Sequence, residues 1–234
     1  MKKFYKTAES GTAPGGHVVR LDGKVVKTPL HHPLIVASEK LAAEMAAEWM
    51  AQGDDIDPAS MPLTQLANTM VDKGRGRERS EMEQTLIDYG ASDLVCYFAT
   101  HPEEVVARQK KHWQTLLDWL RDEYAITLES VSGIQYHHQP PESLNKIAVL
   151  VEKLEPAEFT VLQAAAATAG SLVIALALLR GKLSAERAYE AACVDEIYQL
   201  EKWGEDKLAR ERLDALKAEL ISIEKFRDLV TASS

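Results

Sequence analysis

The sequence predicts an α+β protein with a small N-terminal β-hairpin/sheet domain and a covering helix, followed by a larger multi-helical bundle. The strand and turn signals are confined to the first forty residues, whereas apolar residues recur at helical spacing from about residue 62 onward. A chain of 234 residues with 46% hydrophobic content can build a proper core. We place the domain boundary so that residues 1–57 form the N-terminal domain and 58–234 the helical domain.

Residues 17–28 carry the strongest local signal. Two β-rich runs flank Asp22 and Gly23, a sequence typical of a two-residue hairpin turn. This register pairs Val19 with Val26. Further short strands are predicted at 4–6 and 34–36. Because an isolated hairpin is only marginally stable, the sheet needs a helix packed against it.

That covering helix is predicted to begin after Ser38, whose hydroxyl suits an N-cap, and to run to about Gln52. Leu41, Met45 and Trp49 follow one another at helical spacing and are expected to face the sheet. The Gly/Asp/Pro-rich segment 53–58 then ends the helix.

The remaining chain is predicted to be almost wholly helical. Pro62 suits the first position of a helix. The predicted helices cover 62–72, 77–89, 93–98, a long segment from 102, and then 142–154, 156–180, 184–202 and 206–230. Residues 126–131 form a possible strand, and whether it joins the N-terminal sheet is left open.

The charge of the chain excludes one class of function. A formal net charge of −9 argues against a protein that grips nucleic acid, which would require a basic face. Residues 1–37 nevertheless carry six Lys/Arg against two acidic residues, so this part is at +4 and the rest at −13. The hairpin residues Arg20, Lys24 and Lys27 therefore form a secondary candidate surface, although such a patch is usually a solvated face.

The two cysteines, Cys96 and Cys193, lie far apart in apolar surroundings, which suits inert thiols in a reducing compartment. The N-terminus lacks the apolar core of a signal peptide and the character of a transit peptide. These features predict a cytoplasmic protein.

Residues 161–179 contain no charge and could in principle span a bilayer. Polar residues such as Gln163 and Thr168 interrupt the segment, and alanine, a weak membrane inserter, dominates its first half. We therefore predict the buried centre of a helical bundle and no membrane insertion. A membrane-associated protein remains the alternative.

No catalytic motif is found: the chain lacks a phosphate-binding Gly-rich loop, a zinc-protease His pair and a nucleophile elbow. The adjacent histidines at 31–32 and 137–138 are beside prolines and are typical of loops, so we predict no metal and no cofactor. An enzyme using buried carboxylate and histidine groups on a small molecule remains the alternative, because such sites carry no local signature.

The stretch 195–206 mixes carboxylates with two large aromatics. At helical spacing Cys193, Glu196, Leu200 and Trp203 fall on one face. Glu196 is then either an exposed carboxylate beside a core tryptophan or a group that awaits a partner.

Several strings in order along nearly the whole chain resemble one family, the assembly chaperone that acts on the α subunit of the F-type ATP synthase catalytic head. They begin with Phe4-Tyr5-Lys6, 21–29, Glu48-Trp49 and Ile56-Asp57-Pro58. They continue with 61–64, 66–69, Asp93-Leu94, Cys96-Tyr97, Arg108-Gln109 and Trp113. The last are 170–173, 175–177, Asp195-Glu196 and Trp203-Gly204. The chain departs from the family at Gln65, where Arg is expected, and by an extra alanine, Ala169.

The resemblance implies a bacterial, cytoplasmic chaperone that is not an enzyme and that binds the unassembled α subunit until it joins the β subunits. We expect a monomer, because the surface that binds the α subunit must stay free for it. The expected partner-binding residues are Asp195, Glu196, Tyr198, Leu200 and Trp203. The aromatic and leucine side chains would supply contact area, and Glu196 would meet a cationic group.

Overall fold

The computed structural model describes residues 1–74, 76–204 and 206–231. Helices dominate, and four of the six strands lie near the N-terminus, which confirms the predicted α+β class. The strands are β1 (Ala8–Ala13), β2 (Gly16–Leu21), β3 (Lys24–Val25), β4 (Ile35–Val36), β5 (Tyr97–Phe98) and β6 (Val131–Ser132). The helices are α1 (Glu39–Met50), α2 (Pro62–Lys73), α3 (Gly76–Ala91), α4 (Glu103–Gln109), α5 (Thr115–Tyr124), α6 (Pro141–Glu152), α7 (Pro156–Ala169), α8 (Leu172–Leu179), α9 (Ala185–Ala192), α10 (Val194–Trp203) and α11 (Lys207–Thr231).

The N-terminal sheet has the order β1-β2-β3, and β4 also pairs with β2. The predicted hairpin is confirmed, since the Val26 amide donates to the Val19 carbonyl at 2.9 Å. Asp22 and Gly23 both have positive φ, at 46° and 82°, the conformation that a tight two-residue hairpin turn requires. The sequence did not indicate β1, and residues 4–6 do not form the strand predicted there.

Helix α1 begins as predicted. The Ser38 hydroxyl accepts a hydrogen bond from the Leu41 amide at 3.2 Å, which satisfies one of the free amides at the helix start. Leu41 and Met45 are fully buried, and α1 packs on β1 and β2. The Trp49 ring meets Tyr5 edge to face.

The chain folds into two compact units. The first comprises Met1–Arg79, Glu155–Val161 and residues from 222 onward, and the second comprises Ser80–Leu154 and Leu162–Ile221. The first unit contains the sheet with α1 and α2, and the second contains most of the helices. The domain boundary that we place after residue 57 stays a prediction.

Two of the long predicted helices are divided. The segment 156–180 breaks between α7 and α8 because Gly170 adopts a left-handed φ of 67° and Ser171 is extended, its hydroxyl capping the Ile174 amide. The segment 184–202 breaks at Cys193, which ends α9 and precedes α10. At both breaks the apolar residues continue at helical spacing, so the pattern alone predicts one uninterrupted helix.

The uncharged segment 161–179 is therefore not one long helix. Every residue of α8 is buried, in keeping with the predicted bundle centre. Within the described ranges, no helix combines the length and the apolar character needed to cross a membrane.

The possible strand at 126–131 is reduced to a short element. Val131 and Ser132 pair in parallel with Tyr97 and Phe98 and form a separate two-stranded sheet. This strand does not join the N-terminal sheet, which answers the question left open by the sequence.

Candidate functional site on helix α10

Helix α10 carries the five residues predicted to bind a partner. The helix starts after Cys193 and ends at Gly204, whose φ of 91° suits glycine and whose amide donates to the Leu200 carbonyl at 3.2 Å. Its residues separate into a packed side and a solvent side. All contacts described below for α10 lie within the second unit.

Asp195 lies on the packed side, near the start of α10. Its carboxylate accepts a hydrogen bond from the Gln109 side-chain amide at 2.8 Å, and the same amide group accepts from the Ala99 backbone N–H at 2.7 Å. Burial raises the pKa of Asp195 above its usual value, and the Gln109 hydrogen bond opposes that rise. Asp195 is thus held in place by the buried Gln109, a contact that the sequence did not predict.

Glu196 is half-buried and already has a cationic neighbour. The guanidinium of Arg212 on α11 donates to its carboxylate at 3.0 Å. The pair is partly exposed, so its net contribution to stability is small, roughly 0–1 kcal/mol. Because the pair contributes little to stability, a cation of a partner could replace Arg212 beside Glu196 with only a small loss of free energy.

Tyr198 is buried beneath a network of charges. Arg108 and Lys202 lie over its ring, at 5.4 and 5.5 Å from the centroid. Arg108 also pairs with Glu201 at 2.6 Å, and Lys202 pairs with Glu104 at 2.8 Å. The hydrogen bond from Arg108 holds the pKa of Glu201 below its usual range. Tyr198 is therefore the floor of a charged surface rather than a side chain that a partner could reach directly.

Leu200 and Trp203 lie on the solvent side. Leu200 is half-buried, whereas Trp203 is 77% exposed. The interpretation of Trp203 as a core residue is therefore wrong. Leu208, shortly after the start of α11, is equally exposed. Single exposed apolar side chains are common on protein surfaces, whereas a contiguous exposed patch can mark a binding site.

The second candidate surface lies on the hairpin. Lys24 and Lys27 are exposed, and Arg20 is half-buried with its guanidinium donating to the Thr12 carbonyl at 3.1 Å. Lys24 lies on β3 and Lys27 just beyond it, and a partner-binding role for this surface stays a prediction.

In each adjacent histidine pair, one imidazole contacts one acidic side chain. His32 contacts Asp72 at 2.8 Å, and His137 contacts Glu129 at 2.5 Å. The part of the chain that the structure describes contains no group of three or more His, Cys, Asp or Glu side chains that could hold a metal ion.

Comparisons with known proteins agree on one family. A sequence model described as ATP12 chaperone protein matches residues 2–121. The crystal structure of Atp12 from Paracoccus denitrificans has 33% sequence identity and a TM-score of 0.88, covering 98% of each chain. The mitochondrial atp12 protein of Schizosaccharomyces pombe is 22% identical over 214 residues, 87% of this chain and 74% of that protein. The mitochondrial ATP12 protein of Saccharomyces cerevisiae is 23% identical over 233 residues, 82% of this chain and 72% of that protein.

The family match supports a chaperone of ATP synthase assembly, and the small sheet with its covering helix and large helical part agrees with the fold of the matched crystal structure. The chain belongs to the ATP12 chaperone family. The family resemblance read from the sequence is confirmed.

Proposed function

We propose that the chain binds the unassembled α subunit of the F-type ATP synthase in the bacterial cytoplasm, as a monomer and without catalysing a reaction. The observation that carries the proposal is the exposed Trp203 beside Leu200 and Glu196 on a single helix. A subunit that awaits assembly exposes apolar interface, and a chaperone must cover it reversibly. A moderate interface with a few anchors meets that need better than a very large one.

Co-expression of the α and β subunits with a tagged form of the chain tests this function. The tagged chain should capture α that has not yet assembled and should not retain it once β is supplied in excess. Capture of β alone, or of neither subunit, would contradict the proposal. A thermal-shift screen of metabolites separates the enzyme alternative, which requires a stabilising small molecule.

Trp203→Ala should weaken capture of α by at least about tenfold, the size of a 1.4 kcal/mol loss at an interface anchor. Because Trp203 is exposed, the melting temperature should stay within about 1–2 °C of wild type, as expected for a surface substitution. The matched control is Ile134→Ala, which also removes an exposed large apolar side chain but from a different segment. Equal losses in the two variants would show that general stickiness, not α10, captures α.

Glu196→Lys tests the carboxylate, because it should abolish the attraction to a cation of the α subunit and reduce capture by about tenfold. The loss of the internal pair with Arg212 is controlled by the charge-swapped double variant Glu196→Lys/Arg212→Glu, which restores that pair with reversed signs. We expect the double variant to fold normally, by circular dichroism and melting temperature, and still to capture α poorly. If the swap restores capture, Glu196 acts through the fold and does not contact α.

A further inference from the structure

A cleft of about 340 Å³ lies beside α10, on the side away from Glu196 and Trp203. Its lining comes from α4, from the segment that follows α4, and from α9 and α10. The lining residues are Arg108, Lys111, His112, Glu190, Val194, Ile197 and Glu201. None of them is among the partner-binding residues indicated by the sequence.

The backbone beside the cleft is unusual. Between α4 and α5, residues Lys110–Gln114 form a π-helical turn. Such turns are rare, and they are found frequently at functional sites. Here the turn places Lys111 and His112 at the cleft, while Trp113 is buried with its indole N–H donating to the Ala191 carbonyl at 2.8 Å. The hydrogen bond joins the turn to α9 at the residue that follows Glu190.

The cleft is lined by two cations, Arg108 and Lys111, and by two carboxylates, Glu190 and Glu201. Arg108 is occupied by Glu201, whereas the exposed Lys111 ammonium has no hydrogen bond or ion pair with any described residue. Burial lowers the pKa of His112; Glu190 opposes this, and the cations Lys111, Arg187 and Arg108 add to it. Besides the Arg108–Glu201 pair, the cleft therefore offers the Lys111 ammonium and the Glu190 carboxylate, neither of which has an ion pair with a described residue.

The floor of the cleft is apolar. Val194 is buried and Ile197 half-buried, one helical turn apart on α10. An unpaired ammonium above an aliphatic floor complements a short segment in which a carboxylate adjoins an apolar side chain. A basic segment would meet Lys111 with like charge.

We infer that this cleft receives an Asp or Glu side chain of the α subunit, with the carboxylate pairing with Lys111 and an adjoining apolar side chain resting on Val194 and Ile197. The inference rests on the proposed function, because it names a contact of the same partner. It adds a second anchoring point with the opposite charge preference to that of Glu196. Two contacts of opposite sign, one from Glu196 on α10 and one from Lys111 on the turn before α5, fix the direction in which the partner docks.

The test measures binding of the α subunit to the full-length chain at low and at high salt. Lys111→Glu should weaken binding by about tenfold at low salt, with a smaller loss at high salt, where exposed charges are screened. Glu190→Gln should bind as tightly as wild type or more tightly, since it removes the carboxylate that competes for the site. The matched control is Lys110→Glu, the neighbouring exposed lysine of the same turn, which makes the same change in net charge but does not line the cleft.

The outcomes separate the two proposals. Equal losses of α-subunit binding in the Lys111 and Lys110 variants would assign the effect to overall charge and overturn the inference about the cleft. If wild type captures α and Lys111→Glu captures it equally well, the inference about the cleft is overturned and the proposed function stands. Tighter binding by Lys111→Glu would assign the cleft to a cation and overturn the inference. Failure of the wild-type chain to capture α would overturn both proposals.

Discussion

Replacing Trp113 by alanine is expected to lower the free energy of unfolding by about 3–5 kcal/mol, the cost of removing a large side chain from a packed core. Trp113 is 1% exposed and is the largest of the fully buried side chains. Its ring meets Phe98 edge to face at 5.6 Å, and its indole N–H bonds the Ala191 carbonyl. Truncation would leave a cavity, and it would free the π-helical turn from α9.

Urea denaturation followed by circular dichroism measures this loss. Trp113→Phe is the matched variant, because it keeps an aromatic ring in the core and removes the indole donor. It should cost less, about 1–3 kcal/mol, for the smaller ring and the unmatched carbonyl. An alanine variant within about 1 kcal/mol of wild type would contradict the anchoring role of Trp113.

The parts of the fold that the sequence predicted well are those with local causes. Asp22 and Gly23 determine a tight turn by their own backbone preferences, and the hairpin register follows from that turn. Ser38 caps α1 through its own hydroxyl. Neither feature depends on residues distant in the sequence.

The features that were not predicted depend on distant partners. Strand β6 exists because Val131 meets Tyr97 across 34 positions, and the π-helical turn coincides with the bond from Trp113 to Ala191. The division at Gly170 is intermediate: a glycine followed by a serine is a recognisable stop and start signal, but continuous apolar patterning outweighed it. Periodicity alone shows that a segment is buried, not where it turns.

The same distinction holds for the candidate site. Helical spacing put Glu196, Leu200 and Trp203 on one face, and the structure shows how exposed each one is. Spacing could not show that Gln109 holds Asp195 or that Arg212 pairs with Glu196, because both contacts come from other helices. A paired carboxylate changes the experiment, since a single charge reversal no longer tests binding alone.

Asp93 is expected to make stability depend on pH. Its carboxylate is fully buried and accepts hydrogen bonds from the Ser171 hydroxyl at 2.6 Å and from the Val173 and Val95 amides at 3.1 and 3.2 Å. Burial raises its pKa to about 6, with these hydrogen bonds opposing the rise. The group joins the start of α8 to the turn before β5, so it supports the centre of the second unit.

The direction of the effect follows from proton binding. Between about pH 4 and pH 6 the folded protein holds a proton on Asp93 that the unfolded chain, with an ordinary pKa near 3.9, has lost. The contribution of Asp93 to the free energy of unfolding is therefore fully present below about pH 4 and is lost as pH rises through about 6. The total change is about 3 kcal/mol, and about half of it falls between pH 5 and pH 7.

The measurement compares wild type with Asp93→Asn by urea denaturation at pH 5 and pH 7. Asparagine cannot ionise, so the wild-type minus variant difference cancels every other titrating group and isolates Asp93. We expect the difference to be about 1–2 kcal/mol larger at pH 5 than at pH 7, whatever the absolute stability of the variant. A difference that is unchanged with pH, or that grows toward pH 7, would mean that the hydrogen-bond donors around the carboxylate outweigh its burial. In that case Asp93 would stabilise the start of α8 as an ionised cap rather than as a buried acid.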